Sequence, residues 1–303
     1  MSGDSTREYV RCNLCGADDY SIVYKSTLGA EDFFLASQFT VMHGPQAGRI
    51  VRCNKCGLTY INPRDPQGRL EEGYKSLSCE EYLLERSGRE RTFRKDLRLI
   101  HRFRNPPGKL LDIGCQAGLF LNVARANGWD TAGVELSKAA SDYAREQFGL
   151  NVFNCSLKEA VFPSNSFDVV TAFDVIEHLA DPAVFVKEAR RILKKDGIFV
   201  VATPDIGSAT ARVAGRHWAC ITRMHIYYFS KKTVIEMLYR SGFNIKKIKT
   251  YGRFFRMSYL AEKAACAAQC GFLKKIFPLI PRVGRITLPV NLFDNVVVVA
   301  GKA

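Results

Sequence analysis

The stretch KLLDIGCQAGLFL places an acidic side chain, Asp112, and two glycines, Gly114 and Gly118, after a short apolar run. A second apolar run, TAGVELS, contains Glu135, 17 residues after Gly118. In an open parallel sheet, ligands bind beside the carboxyl ends of the strands, where a glycine turn lets the backbone approach them. The spacing therefore predicts a ligand held by two acidic side chains at neighbouring strand ends.

Carboxylates at these positions suit a ligand with a cationic end. A dinucleotide site needs Gly-x-Gly-x-x-Gly, so that a pyrophosphate can sit on a helix N-terminus, and the tight Gly-x-Gly pair is absent here. Asp112 would also repel a pyrophosphate. S-adenosylmethionine has an ammonium group, a sulfonium and no phosphate, and Glu135 could accept its two ribose hydroxyls. The residues favour this cofactor; the alternative is a sheet in which the glycines only allow close packing.

Transfer of a methyl group to a hydroxyl would need a base, and the chain has only five histidines. His178 follows Glu177 at the exit of a predicted strand, and His225 opens the stretch HIYYFS. A positioned histidine or carboxylate can remove the acceptor proton. We predict His225 as the base, His178 as the next candidate, and Glu177 as its orienter or a substrate contact. The alternatives are a simple turn at Glu177–His178 and a His225 that only bonds a loop carbonyl.

Two Cys-x-x-Cys-Gly units give the strongest metal signal, with thiols at Cys12, Cys15, Cys53 and Cys56. Two residues between the thiols place both on one tight turn. Four thiolates match tetrahedral Zn²⁺ with Zn–S distances of about 2.3 Å. Because such a site has no open position, the predicted role is structural. Redox pairs are the alternative, but two matched units are more typical of a zinc ribbon.

Strand-like and helix-like segments alternate from residue 109 onward, which indicates a parallel sheet covered by helices on both faces. We predict strands at 109–113, 130–135, 150–153, 167–173, 197–203, 244–251 and 295–302, and helices at 118–127, 138–147, 182–194, 230–241 and within 257–280. The expected domains are a zinc-ribbon-like module (1–64), a helical lid or linker (65–108) and a ligand-binding domain (109–303) with a basic amphipathic insertion at about 252–290.

Taken together, four blocks resemble the class I S-adenosylmethionine-dependent methyltransferases of the small-molecule and sugar type. The blocks are Leu110–Leu121, Phe167–His178, Leu193–Pro204, and Trp218 with His225–Ser230. The resemblance covers about residues 109–250 and implies a Rossmann-like fold with a seven-stranded, mostly parallel sheet. Where the family's glycine turn has its middle glycine, this chain has Gln116. The cofactor-binding residues predicted in this way are Asp112, Gly114, Gln116, Gly118, Glu135, Leu136, Cys155, Ser156, Leu157, Phe173 and Asp174.

The charge is concentrated near the C-terminus. Residues 206–303 carry 17 basic and 3 acidic side chains, whereas the other 27 basic and 27 acidic side chains balance. The stretch Gly271–Pro289 interleaves Lys and Arg with apolar residues. Two interpretations stay open for it: contact with an anionic membrane surface, or packing of its apolar side against the sheet. The N-terminus lacks the apolar core of a signal peptide, so we expect a cytoplasmic protein, with the membrane contact, if made, at the inner face.

The expected function is methylation of a small-molecule or glycan-type acceptor, at oxygen. Similar zinc modules occur in deoxysugar C-methyltransferases, but their further large C-terminal domain does not fit within these 303 residues. An RNA base methyltransferase is the first alternative; the charge-balanced zinc ribbon and the absence of an Asn-Pro-Pro-Tyr-type loop count against nucleic acid. A non-catalytic cofactor-binding protein is the second, suggested only by Gln116.

Overall fold

The computed structural model describes residues 7–27, 48–260 and 286–303. Its strands, in chain order, are β1 (Tyr20–Tyr24), β2 (Ile50–Cys53), β3 (Thr59–Ile61), β4 (Lys109–Ile113), β5 (Asp130–Val134), β6 (Asn151–Phe153), β7 (Phe167–Phe173), β8 (Leu193–Pro204), β9 (Tyr227–Tyr228), β10 (Phe243–Thr250), β11 (Arg253–Arg256), β12 (Thr287–Val290) and β13 (Asn295–Lys302). Its helices are α1 (Gln67–Lys75), α2 (Glu80–Leu84), α3 (Arg86–Ile100), α4 (Leu119–Arg125), α5 (Lys138–Phe148), α6 (Pro182–Ile192), α7 (Ala209–Ala214) and α8 (Lys231–Arg240).

A seven-stranded sheet forms the centre, in the order β10-β13-β8-β7-β4-β5-β6. Strands β4 to β8 pair in parallel, and β13 runs antiparallel to both of its neighbours. The predicted mostly parallel α/β sheet is therefore confirmed. The strand order reverses at β4, which has β5 on one side and β7 on the other. A crevice is expected at the carboxyl end of a strand at such a reversal.

Local sequence signals account for the helices that follow the strands. Ser137 begins α5 by accepting a hydrogen bond from the Ala140 amide, and Gly149 ends it in the left-handed conformation. Asp181 caps α6 in the same way, with a proline in the first turn. These are the residue types that satisfy the unpaired amides and carbonyls at helix ends. The caps place the two helices against the strands whose ends carry the predicted ligand residues.

The N-terminal segment builds a second sheet with a strand from far along the chain. This sheet has the order β1-β2-β3-β9, and Thr59 and Tyr60 of β3 pair with Tyr228 and Tyr227 of β9. Two further backbone bonds continue the contact: the Ile61 amide donates to the Ile226 carbonyl, and the Ile226 amide donates to the Glu177 carbonyl, each over 2.9 Å. The predicted zinc-ribbon-like module thus shares a sheet with the segment that carries His225.

Helices α1 to α3 occupy the predicted lid segment, and α3 packs against β11. Strands β11 and β12 pair with each other at the two ends of the predicted basic insertion. The predicted amphipathic helices within 257–280, and most of the basic stretch Gly271–Pro289, lie outside the described residues. Within the part of the chain that is described, every helix is too short or too polar to cross a bilayer.

Candidate active site

A cleft of about 2390 Å³ opens at the carboxyl ends of the central strands, beneath the α1–α3 layer. All three predicted catalytic residues line it, and so do ten of the eleven predicted cofactor residues. The exception is Gly118, whose place is explained by packing. A Cβ on Gly118 would lie 2.6 Å from Leu150 Cδ1 and 2.9 Å from Ala144 Cβ, so a side chain there would push α4 away from α5. Its role as a cofactor contact stays a prediction.

The turn after β4 has the left-handed conformation at three positions: φ is 68° at Gly114, 49° at Gln116 and 73° at Gly118. A Cβ on Gly114 would also lie 2.8 Å from Val175 Cγ2. Gln116 thus adopts the conformation that the family's middle glycine would take more easily, at a cost of about 1–2 kcal/mol for a residue with a side chain. In this conformation the Gln116 amide donates to Glu135 Oε2 over 2.9 Å.

Asp112 and Glu135 form a buried acidic pair at this turn. Asp112 is 4% exposed and accepts a hydrogen bond of 2.6 Å from Thr171 Oγ1. Burial raises the pKa of Asp112 to about 7, helped by the nearby Glu135 and opposed by Thr171. Burial also raises the pKa of Glu135, against the lowering by the Ser137 and Gln116 amides. Both side chains can therefore receive a cation or hydroxyl donors, and an anion would be repelled.

The other predicted cofactor residues lie on the loops after β5, β6 and β7. Asn154 Nδ2 donates to the carbonyls of Glu135 and Leu136 over 2.9 Å each, which ties the loop after β6 to the end of β5. Cys155, Ser156 and Leu157 then line the cleft. Phe173 belongs to an aromatic cluster, with ring centroids 5.1 Å from Phe120 and 6.2 Å from Phe93.

His178 and His225 lie together in the cleft, with ring centroids 4.7 Å apart. His178 Nδ1 lies 3.0 Å from the Met224 carbonyl, and His225 Nδ1 lies 2.8 Å from the Cys220 carbonyl. A carbonyl accepts only, so each Nδ1 carries the proton and each Nε2 keeps its lone pair. Burial lowers the pKa of both rings; for His225, the neighbouring His178 lowers the pKa further. Both rings are therefore neutral near pH 7.

Glu177 completes this cluster. It is 1% exposed, and its Oε2 accepts a 3.0 Å bond from Thr203 Oγ1, while its Oε1 is buried with no partner among the described residues. Burial raises the pKa of Glu177 to about 8, with a further contribution from Asp174. Backbone carbonyls face both histidine Nδ1 atoms, and the role of Glu177 as orienter or substrate contact stays a prediction. The ligand atoms of Glu177, His178 and His225 lie within 4.8 Å of one another, a set that could also hold a cation.

Several residues of the site escaped the sequence analysis. Thr171 and Thr203 bond Asp112 and Glu177 from neighbouring strands, and only the strand register reveals such contacts. Arg253 forms an ion pair with Asp174 inside the cleft and keeps its Nε buried without a partner among the described residues. No motif marks Arg253, because the pairing joins residues 79 positions apart.

Two tyrosines line the cleft near the histidines and the glycine turn, whereas Trp218 is buried in the core. Tyr74 lines the cleft, edge-on to His178 at a centroid distance of 5.7 Å, and its hydroxyl lies 3.3 Å from the Met224 carbonyl. Tyr82 also lines the cleft, where Arg89 lies over its ring. Trp218 instead belongs to the core: it is 2% exposed and donates to Asp294 Oδ2 over 2.9 Å.

The four predicted metal ligands converge in the N-terminal module. Their sulfurs lie within 4.8 Å of one another, with Cys12–Cys56 at 3.4 Å and Cys15–Cys53 at 3.5 Å. The two turns match: the Gly16 amide donates to the Cys12 carbonyl and the Gly57 amide to the Cys53 carbonyl. Both glycines have positive φ, 74° and 81°. Tetrahedral Zn²⁺ requires S···S separations of about 3.8 Å, so the set fits this ion.

Parts of this chain are similar in sequence to known proteins. Ubiquinone biosynthesis O-methyltransferase of Bradyrhizobium diazoefficiens is 35% identical over 99 residues, which cover 31% of this chain and 39% of that protein. The protein of the same name from Cereibacter sphaeroides is 29% identical over 162 residues, which cover 51% of this chain and 64% of that protein. The chain therefore spans less than two thirds of the length of these curated relatives.

A solved structure shows the same fold. The S-adenosylmethionine-dependent methyltransferase of Archaeoglobus fulgidus superposes with a TM-score of 0.51 and 20% identity, over 74% of this chain and 100% of that one. A family model described as "Methyltransferase domain" matches residues 86–248, more than half of the chain. This match spans the glycine turn, the acidic pair and both cleft histidines. The chain therefore belongs to the methyltransferase-domain family and has the class I fold of its S-adenosylmethionine-dependent members.

Proposed function

We propose that the protein is an S-adenosylmethionine-dependent methyltransferase that methylates a hydroxyl group of a small-molecule or glycan-type acceptor. The observation that carries this proposal is the pair of histidines, His178 and His225, whose rings lie 4.7 Å apart in the cleft that also holds the acidic pair, each with its Nδ1 atom against a backbone carbonyl. The relatives' name, ubiquinone biosynthesis O-methyltransferase, supports oxygen as the methylated atom.

The cofactor end of the cleft fits S-adenosylmethionine by charge. Asp112 and Glu135 are buried acids beside a glycine turn, and a cation would stabilise their ionised forms while a phosphate would not. We expect Asp112 to bind the cationic amino acid end and Glu135 the ribose hydroxyls, since each Glu135 oxygen accepts one amide and keeps a further lone pair. The bound cofactor supplies the electrophilic methyl group.

At the acceptor end, His225 acts as the general base. Its Nδ1 proton is held by the Cys220 carbonyl, so Nε2 is the atom that can take the hydroxyl proton. His178 is held in the same tautomer and is the second candidate. Glu177 Oε1 is buried and without a partner among the described residues. Because the pKa of Glu177 is raised to about 8 and Oε2 accepts from Thr203, Oε1 of the protonated carboxyl is positioned to donate a hydrogen bond to the substrate. General-base catalysis of this kind contributes about 10²–10⁴-fold to a rate.

The four thiols fit a structural Zn²⁺ ion. The donor set is all sulfur, the sulfur spacing matches a tetrahedron, and no fifth ligand position is offered to an acceptor. We therefore place Cys12, Cys15, Cys53 and Cys56 in the role of zinc ligands that stabilise the N-terminal module. Contact of the stretch Gly271–Pro289 with an anionic membrane stays a separate prediction, to be tested by co-sedimentation with anionic and neutral vesicles.

The proposal is tested by methyl transfer from labelled cofactor across phenols, sugar nucleotides and RNA, with three single variants. His225→Ala should lower kcat about 10²–10⁴-fold while cofactor affinity stays unchanged. His178→Ala should have a smaller effect. His217→Ala is the control, because His217 lines the same cleft but is exposed and accepts a hydrogen bond from Arg216.

Two results would contradict the proposal. Methylation of RNA bases in preference to phenols and sugars would favour the nucleic-acid alternative. A rate that vanishes in a chelator that leaves the four thiols loaded, and returns with an added divalent transition metal, would indicate that Glu177, His178 and His225 hold a cation instead of acting as bases.

A further inference from the structure

Arg64 lies where the N-terminal module contacts both segments that carry the cleft histidines. Its side chain is 10% exposed. Nη1 donates to the Ala180 carbonyl over 2.7 Å and to the Tyr227 hydroxyl over 3.1 Å. Ala180 lies two residues after His178, and Tyr227 lies two residues after His225. One nitrogen therefore bonds both segments at the same distance along the chain from each histidine.

The arginine is itself held on the module side. Its Nε donates to Glu8 Oε1 over 2.9 Å, and the backbones of Arg64 and Glu8 exchange two hydrogen bonds of 2.8 and 3.0 Å. The side chain therefore cannot follow the loop after His178 if that loop moves. Charge-assisted hydrogen bonds in a nearly dry environment are the stronger ones, so this contact fixes the loop rather than only covering it.

Other contacts from the module reach the same two segments. Asn13 bonds the Asp181 side chain and the Ala183 amide over 2.9 Å each. The β3–β9 pairing holds residues 226–228. The two histidine segments also bond each other directly, through the Ile226 amide and the Glu177 carbonyl and through the Tyr227 hydroxyl and the Ala180 carbonyl. Arg64 adds to these bonds a charged group of the module that contacts both segments at once. Because a displacement of about 1 Å at a reacting centre can cost about a hundredfold in rate, the spacing of the two rings needs such a support.

We propose that Arg64 is a positioning residue that, together with the direct bonds between the two segments, sets the separation of His178 and His225, and so couples the thiol-rich module to the acceptor side of the cleft. This inference rests on the proposed function for its effect on rate. The predicted effect of Arg64 on the two histidine rings does not depend on that function, because it can be measured without a methyl acceptor.

The test uses the full, zinc-loaded chain with three substitutions. Arg64→Met keeps the apolar stem and removes every donor; Arg64→Lys keeps the charge and one donor group. Arg49→Met is the matched control, because Arg49 lies in the same module and donates to the Asn62 carbonyl over 2.7 Å. The first readout is the NMR spectrum of the labelled histidine rings; the second is kcat and cofactor affinity.

Arg64→Met should shift the ring signals of His178 and His225 and leave those of His101 and His217 in place. It should lower kcat at least about tenfold with cofactor affinity unchanged, and Arg64→Lys should recover part of the loss. Tyr227→Phe removes the hydroxyl that accepts from Arg64 but keeps the arginine charge, so it should shift the two ring signals less. This variant tests the proposal if Arg64→Met does not fold. Unmoved His178 and His225 signals in Arg64→Met, or equal shifts in Arg49→Met, would overturn the proposal. Moved signals with no methyl transfer by the unmodified protein would instead refute the proposed function alone.

Discussion

At the scale of single residues, Asp112 is the most informative acid, because burial raises its pKa whereas a bound cationic ligand would lower it. Burial raises the pKa of Asp112 to about 7, so much of it is protonated at pH 6 in the free protein. A bound cation lowers that pKa again. We expect cofactor binding at pH 6 to release close to one proton, measured by calorimetry in two buffers of different ionisation enthalpy.

Asp112→Asn should abolish this buffer dependence and weaken cofactor binding. The control is Asp168→Asn, since Asp168 is a carboxylate paired with Lys194 and Arg104 at the opposite end of β7. A proton release that persists unchanged in Asp112→Asn would show that the cation does not bind there.

The histidine pair makes a second prediction at this scale, about the pH dependence of the rate. Burial lowers the pKa of His225 well below 6.5 and also lowers that of His178. A base must be unprotonated, so kcat/KM should fall on the acid side only below pH 6.5. The charged and titratable groups around the rings are Glu177, Asp174 and Arg253, and the last of these opposes protonation of His225. An acid limb centred at or above pH 6.5 would exclude His225 as the base.

Residue types and spacing predicted the acids, the thiols and the histidines, because each follows a strand end or repeats within a short motif. The same reasoning could not separate Gly118 from Gly114: both have positive φ, but only the neighbours in space show that Gly118 packs α4 against α5. It also could not identify the partners of the two histidine Nδ1 atoms, since these are backbone carbonyls that carry no sequence signal.

At the scale of elements, Gly118 gives a test of that packing. Gly118→Ala should lower the free energy of unfolding by about 2–4 kcal/mol, from left-handed strain and from the clash with Leu150 and Ala144. Gly149→Ala is the matched control: its φ is 59°, and a Cβ there meets nothing within 4 Å. Strain alone should cost about 1–2 kcal/mol in this variant. If urea unfolding gave the same loss of unfolding free energy for Gly118→Ala and Gly149→Ala, the contact between α4 and α5 would not be tight.

Alternation of apolar runs predicted the central elements closely, since β4 (Lys109–Ile113), β7 (Phe167–Phe173) and β13 (Asn295–Lys302) have the predicted bounds. Strand β9 was missed because it has only two residues and no periodicity of its own. Its strand conformation comes from pairing with β3, some 168 positions earlier in the chain. Such an element is set by tertiary contact, which a single sequence does not reveal.

Zinc binding at the four thiols should therefore stabilise strand β9 as well as the two cysteine turns. Cys12→Ser is expected to weaken zinc binding and to raise the amide exchange of Tyr227 and Tyr228, because both pair with β3 of the destabilised sheet. Exchange in β4 and β5 should not change. Cys79→Ser is the control, since Cys79 is a buried thiol outside the cluster. Unchanged exchange in β9 after zinc is lost would show that the two sheets are independent.

At the scale of the whole molecule, the buried acids impose a pH dependence on stability. Burial raises the pKa of Asp96 to about 7, of Asp112 to about 7 and of Glu177 to about 8. The unfolded chain ionises these groups near pH 4, so between about pH 4 and 8 the folded state holds more protons and stability falls as the pH rises. His178 and His225 act in the opposite sense: their pKa values are lowered on folding, so stability is lost as the pH falls below 6.5.

The two contributions oppose each other below pH 6.5; above it the contribution of the histidines ends while that of the acids continues. We therefore expect the Tm of the ligand-free protein to fall from pH 6.5 to 8, and the fall to be smaller in Asp112→Asn and when cofactor is bound, because the cation stabilises the ionised form. Asp142→Asn is the control: Asp142 is a surface carboxylate whose pKa is lowered by Lys138 and Arg145. A Tm that rises between pH 6.5 and 8 would mean that these acids are ionised in the folded protein, and that the cleft is more hydrated than its geometry indicates.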